Sequence, residues 1–158
     1  MDKLSFEMQQ VKDTLNHIHK VQELLCLCVT EMNRRAIDHD NSKFCDDEWP
    51  YFLTHTKTLA GLTYGSLEYK AALVEMKPAI ENHYKRNGHH PEHHLAWIRD
   101  MTLLDLLEMI CDWIAATKRH ADGDIFKSIE LNQKRFNYSQ ELKEILINTV
   151  HEIVPQGE

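Results

Sequence analysis

An all-α fold of six or seven helices is what this sequence predicts, on three observations. Only 5 Gly and 4 Pro punctuate 158 residues. The apolar set is rich in Leu and poor in Val, which favours helix over strand. Apolar residues recur at helical spacing in several long windows. Residues 4–36 contain neither Gly nor Pro, and Leu15, Ile18, Val21, Leu25 and Val29 keep that spacing, so this stretch predicts one long helix. A polar break follows at Asp38-His39-Asp40-Asn41-Ser42. A helix from about Asp46 to Leu59 then starts with acids in its first turn, where the helix dipole favours them. Gly61 to Gly65 reads as a turn, and Leu67 to Arg86 as a helix interrupted or kinked at Pro78. Asn87-Gly88-His89-His90-Pro91 predicts a loop. With Asp100 or Thr102 as N-cap, an apolar-rich helix runs to about His120, ended by Asp122-Gly123-Asp124. Two shorter helices close the chain, about Ile125 to Phe136 and Ser139 to Ile153. No repeat, linker or low-complexity stretch divides it, so residues 1–158 are expected to form a single domain.

Charge and composition exclude several functions. Lys plus Arg number 18 and Asp plus Glu 25, a net charge of −7, against the basic face that a nucleic-acid backbone or an anionic membrane would require. No apolar run approaches the ~18 residues of a membrane span, and MDKLSFEMQQ has no signal-peptide core. The four cysteines, Cys26, Cys28, Cys45 and Cys111, form no C-x-x-C pair, so a reducing cytoplasm is expected and disulfides are not. Cys26 and Cys28 point about 200° apart on a helix and read as packing residues. Histidine is the anomaly, at 11 of 158 residues.

Ligand-type residues gather in four separated stretches: Asn16-His17-Ile18-His19; Asp38-His39-Asp40-Asn41-Ser42-Lys43; His83 with His89-His90-Pro91-Glu92-His93-His94; and Asp105, Glu108 and Asp112. Each has a plain structural explanation. A lone helix His is usually a surface or hydrogen-bonded residue, Asp at a helix end caps free backbone donors, and a His-rich loop can be merely solvated. The last three carboxylates, however, share one face of a strongly apolar helix, where desolvation is costly without a cation or a His or Lys partner. Four such stretches together point to metal chemistry.

In order along the chain, these stretches resemble the HD-domain superfamily of helical metal-dependent phosphohydrolases. His17 precedes Val21 by four; His39-Asp40-Asn41-Ser42-Lys43 resembles the His-Asp dyad with its Lys, Ser42 standing where many members have Gly. His89-His90-Pro91-Glu92 is similar to the His-pair segment of the phosphodiesterase branch, and Asp112-Trp113-Ile114-Ala115-Ala116-Thr117 to the closing Asp and its small residues. The resemblance covers about residues 13–120, with the helices at 125–154 outside it. The whole chain also resembles small uncharacterised bacterial and phage proteins carrying D-H-D-x-S-K and H-H-P-E-H segments.

The resemblance implies His17, His39, Asp40 and Asp112 as ligands of one divalent ion, with His89 and His90, joined by His83, at a second. Imidazole and carboxylate suit Mn²⁺, Fe²⁺, Co²⁺, Ni²⁺ or Zn²⁺, and an Asp can bridge two ions. It implies hydrolysis of a small phosphorylated molecule, a nucleotide or deoxynucleotide first among candidates, by attack of an activated water on phosphorus. Lys43 is the expected phosphate contact, with Arg86 and Arg119 as alternatives; Glu92 or Asp38 would orient a ligand His or shuttle a proton. His19, His55, His93, His94, His120 and His151 have no assigned role. Two other readings keep the helical scaffold: a di-iron oxygenase, and a non-catalytic nucleotide- or protein-binding protein. The apolar-rich C-terminal helices offer a surface on which two copies could pair.

Overall fold

The computed structural model describes residues 3–62, 66–119 and 123–155. Among these, seven α-helices and no strand are present, so the chain is all-α. They are α1 (Lys3–Asp38), α2 (Trp49–Ala60), α3 (Leu67–Glu75), α4 (Lys77–Arg86), α5 (Leu103–Thr117), α6 (Ile125–Phe136) and α7 (Gln140–Ile153). Short 3₁₀ turns lie at Asn41–Phe44, Pro91–His93 and Trp97–Asp100. The chain divides into two compact units, 1–38 and 39–158. The first is α1. Its spaced apolar residues, Leu15, Ile18, Val21, Leu25 and Val29, are exposed rather than packed in a core, and so are Cys26 and Cys28, expected as packing residues.

In residues 39–158, helix ends follow local chemistry. Pro50 sits in the first turn of α2, where its missing N–H costs nothing, and helix therefore starts at Trp49 rather than among the acids at 46–48. The long helix expected over 67–86 is two. Pro78 falls in the first turn of α4, and the break comes at Met76, because a proline ring clashes with the carbonyl four residues back. Thr102 caps α5 in a reciprocal box: its hydroxyl accepts from the Asp105 N–H, and Asp105 accepts from the Thr102 N–H. Asp105 is thereby spent on the cap. Asp124 and Ser139 cap α6 and α7, and Asn137 ends α6 at φ 51°. The turn residues 63–65, together with His120 and Asp122, lie outside the described residues.

The core joins α5, α6 and α7 through Met109, Ile110, Trp113, Ile129, Phe136, Tyr138, Leu146 and Val150. Trp113 stacks on Phe136 at 6.4 Å, and the Tyr138 hydroxyl donates to the Ile129 carbonyl at 2.6 Å, satisfying its one polar atom. With its apolar face held there, α5 presents Glu108 and Asp112 from its other side. No described helix is long and apolar enough to cross a membrane.

Candidate metal centre

His39 and Asp40 follow the last residue of α1 and lie in the 39–158 unit. Asp40 has φ 58°, the left-handed region that Asp tolerates better than most residues, and it aims the carboxylate while the chain enters the 3₁₀ turn at 41–44. His83 comes from α4, His89 and His90 from the loop after it, and Glu108 and Asp112 from α5, one turn apart.

Two groups of ligand atoms meet at Asp40. The first comprises Asp40, His83, His89 and His90, the second His39, Asp40 and Asp112; within each, one ligand atom per residue lies within 4.8 Å of the others. Asp40 Oδ1 is 3.1 Å from His83 Nε2 and 3.5 Å from His89 Nε2, and His90 Nε2 is 3.0 Å from His83 Nε2. On the other side, His39 Nε2 is 3.5 Å from Asp40 Oδ2 and 3.8 Å from Asp112 Oδ1. The two oxygens of Asp40 thus serve different groups, the arrangement a bridging carboxylate would need.

The imidazoles are oriented from behind. His83 Nδ1 donates to Glu48 Oε2 at 3.1 Å and His39 Nδ1 to Glu108 Oε1 at 2.9 Å, while His89 Nδ1 lies 3.1 Å from the same Glu108 oxygen. Carboxylates only accept, so each Nδ1 is held as the donor, and each ring turns its Nε2 inward as the atom an ion would take in place of any second proton. Glu48 has no solvent exposure, yet its charge is matched: Ser42 Oγ donates at 3.0 Å and Arg86 at 3.2 Å, besides His83. Asn87 completes this shell, donating to Ser42 Oγ at 2.8 Å and to the His83 carbonyl at 2.7 Å.

Two buried atoms of the first group, Asp40 Oδ1 and His89 Nε2, make no directed hydrogen bond. Both are acceptors facing one another, a costly arrangement that a cation between them would relieve. The donor set fits a divalent transition ion by atom type and by this orphaned pair. Burial alone would raise Asp40, but His83 and Lys43 hold its carboxyl well below the usual carboxylate range. Burial, then the neighbouring His89 and His83, lowers His90 to about 3, leaving it neutral and able to ligate. Asp112 and then Glu108 raise His39 to about 10, so an ion binding there would displace a proton. Asp112 is pushed up by burial and held lower overall by His39.

The remaining expectations divide. Lys43 is beside the centre: its Nζ donates to Asp40 Oδ2 and lies 5.3 Å from the Phe52 ring centroid. Glu92 is elsewhere, accepting from Arg135 of α6; a residue two beyond His90 in sequence has turned away through the 3₁₀ turn at 91–93. Asp38 accepts from Arg34. Arg86 is committed to Asp47, at 2.7 and 2.8 Å, and to Glu48, and so supports the site rather than facing a ligand. Arg119 is exposed beyond α5. His17 and His19 are exposed on α1 and belong to no ligand group among the described residues. His93 and His94 bond the carbonyls of Tyr84 and Gly88 at 3.0 and 2.8 Å, His55 lies 3.7 Å from Glu75, and His151 packs on Phe126. Glu48 carried no signal in the sequence beyond being one of three acids before a proline. Glu108 was marked by sharing a face with Asp112, but its role as a clamp on two histidines depends on His39 and His89 reaching it.

The family model described as "Family of unknown function (DUF5662)" matches residues 7–154. No curated protein and no solved structure matches the chain.

Proposed function

We propose a function for this chain, which belongs to the DUF5662 family: it is a metal-dependent phosphohydrolase acting on a small phosphorylated molecule, first among them a nucleotide or deoxynucleotide. The observation that carries the reading is the convergence of His83, His89 and His90 on Asp40, with the Nε2 atoms of His83 and His89 at 3.1 and 3.5 Å from its Oδ1 and both rings backed by a buried or half-buried carboxylate. The ordered likeness of these residues to the HD-domain pattern supports the same reading, and Lys43 supports the phosphoryl part. His39, Asp40 and Asp112 would hold one ion and Asp40, His83, His89 and His90 another. A bound divalent ion supplies an acidified water and a Lewis acid for a phosphoryl oxygen. Lys43, which pairs with Asp40, would take a second phosphoryl oxygen as a charged hydrogen-bond donor. Glu48 and Glu108 keep the rings in the ligating tautomer. With a net charge of −7, attraction of an anionic substrate has to come from the ions and Lys43 rather than from the whole surface.

Elemental analysis of wild type beside Asp40→Ala, followed by a nucleotide and phosphomonoester panel with the bound metal, tests this. The expected result is near-stoichiometric transition metal and turnover in wild type, both lost in the variant with helical content unchanged. Metal without turnover of any phosphoester would overturn the hydrolase and favour a binding protein. The adjoining ligand groups on one Asp also suit a di-iron oxygenase. Two irons and O₂ consumption would move the assignment there, whereas turnover with Mn²⁺ or Co²⁺ under argon would exclude it.

A further inference from the structure

Helix α1 is 36 residues long, about 54 Å at the usual rise, and forms a compact unit by itself. From Leu4 the chain steps by four and three in alternation, through Met8, Val11, Leu15 and Ile18, past Gln22 to Leu25 and on to Ala36. Nine of these ten positions are apolar and Gln22 is the tenth, a heptad seam sustained over more than four repeats. The seam is open: Leu4 and Met8 are each 66% exposed and Leu25 59%. A shallow groove lies along it, lined by Leu4, Met8, Val11 and Leu15 and flanked by Glu7 and Lys12. The opposite side carries the helix's own polar pairs, Gln9–Asp13, Lys20–Glu23 and Arg34 with Glu31 and Asp38. A helix polar on one side and apolar on a strict 3.5-residue repeat needs a partner helix to bury the seam.

We propose that α1 pairs with α1 of a second copy as a parallel, in-register two-stranded coiled coil. Two features select this occupant. In parallel register Gln22 meets the Gln22 of the second copy across the axis, where the two amides can hydrogen-bond; an antiparallel pair would set that amide against an apolar layer. The flanking position of Glu7 in one copy then lies opposite Lys12 in the other, five residues on, an attractive pair. Leu24 and Leu27 lie off the seam and take no part. This inference uses α1 alone and is independent of the metal chemistry above.

Sedimentation equilibrium of the full chain tests it. The expected mass is twice 18.6 kDa in wild type, falling to one copy in the double variant Leu15→Glu/Ile18→Glu. Lys20→Glu, on the face opposite the seam, should stay dimeric. A monomeric wild type, a higher oligomer, or a double variant that remains dimeric would overturn the proposal. Register has its own test that does not depend on disrupting the helix. Gln22→Cys, with Cys26→Ser and Cys28→Ser, should cross-link to a covalent dimer under mild oxidation. Failure to cross-link would overturn the parallel register.

Discussion

Glu48 shows how a residue that offers no ligand atom can orient those that do. It is fully buried and receives His83, Ser42 and Arg86. Glu48→Ala should leave those donors unpaired and weaken metal affinity about 10- to 100-fold, as loss of an orienting carboxylate does elsewhere; isothermal titration with Mn²⁺ or Zn²⁺ would read it. Glu108 clamps both His39 and His89, so Glu108→Ala should weaken both ligand groups, visible as loss of two binding steps rather than one. His39 adds a pH dependence whose sign can be worked out. Its pKa is raised to about 10, so below that pH an ion that takes Nε2 must expel a proton. Affinity should therefore climb with pH by up to tenfold per unit through the neutral range. Asp112→Asn, which removes the main cause of the shift, should flatten that slope; proton release measured in buffers of different ionisation enthalpy would show it.

At the scale of elements, the site depends on helix ends. The capping box at Thr102 starts α5, the helix that carries Glu108 and Asp112. Thr102→Ala should cost about 1 kcal/mol in denaturant unfolding, the usual worth of such a cap, with metal affinity less affected because Asp105 and the α5 core contacts remain. The break at Met76 and the loop after Arg86 bring His83, His89 and His90 onto a single aspartate. The sequence marked both places, through Pro78 and Asn87-Gly88, because proline and glycine act on backbone geometry locally. It did not mark where Glu92 would go: a 3₁₀ turn of three residues rotates that side chain toward Arg135 while His90 stays inward.

For the molecule as a whole, the core of α5, α6 and α7 is the platform behind the centre. Ile129 has no exposure, and Ile129→Ala should destabilise the protein by about 2–5 kcal/mol, the range for a cavity at a buried aliphatic site. An ion that binds only the folded state should raise thermal stability, by about 2.7 kcal/mol at a hundredfold excess over Kd. Differential scanning calorimetry should find that rise in wild type and not in Asp40→Ala. What the sequence by itself determined is local: helix content, most helix boundaries, a cap at Asp100 or Thr102, and the order of the ligand-type residues in the candidate centre. These follow from propensity, spacing and hydrogen bonding between residues a few positions apart. Tertiary structure alone decided which residues meet. It gathered His39, His83 and Asp112 around Asp40, placed Glu92 against Arg135, and recruited the buried Glu48. Such choices depend on contacts between residues tens of positions apart, set by packing that no local pattern encodes.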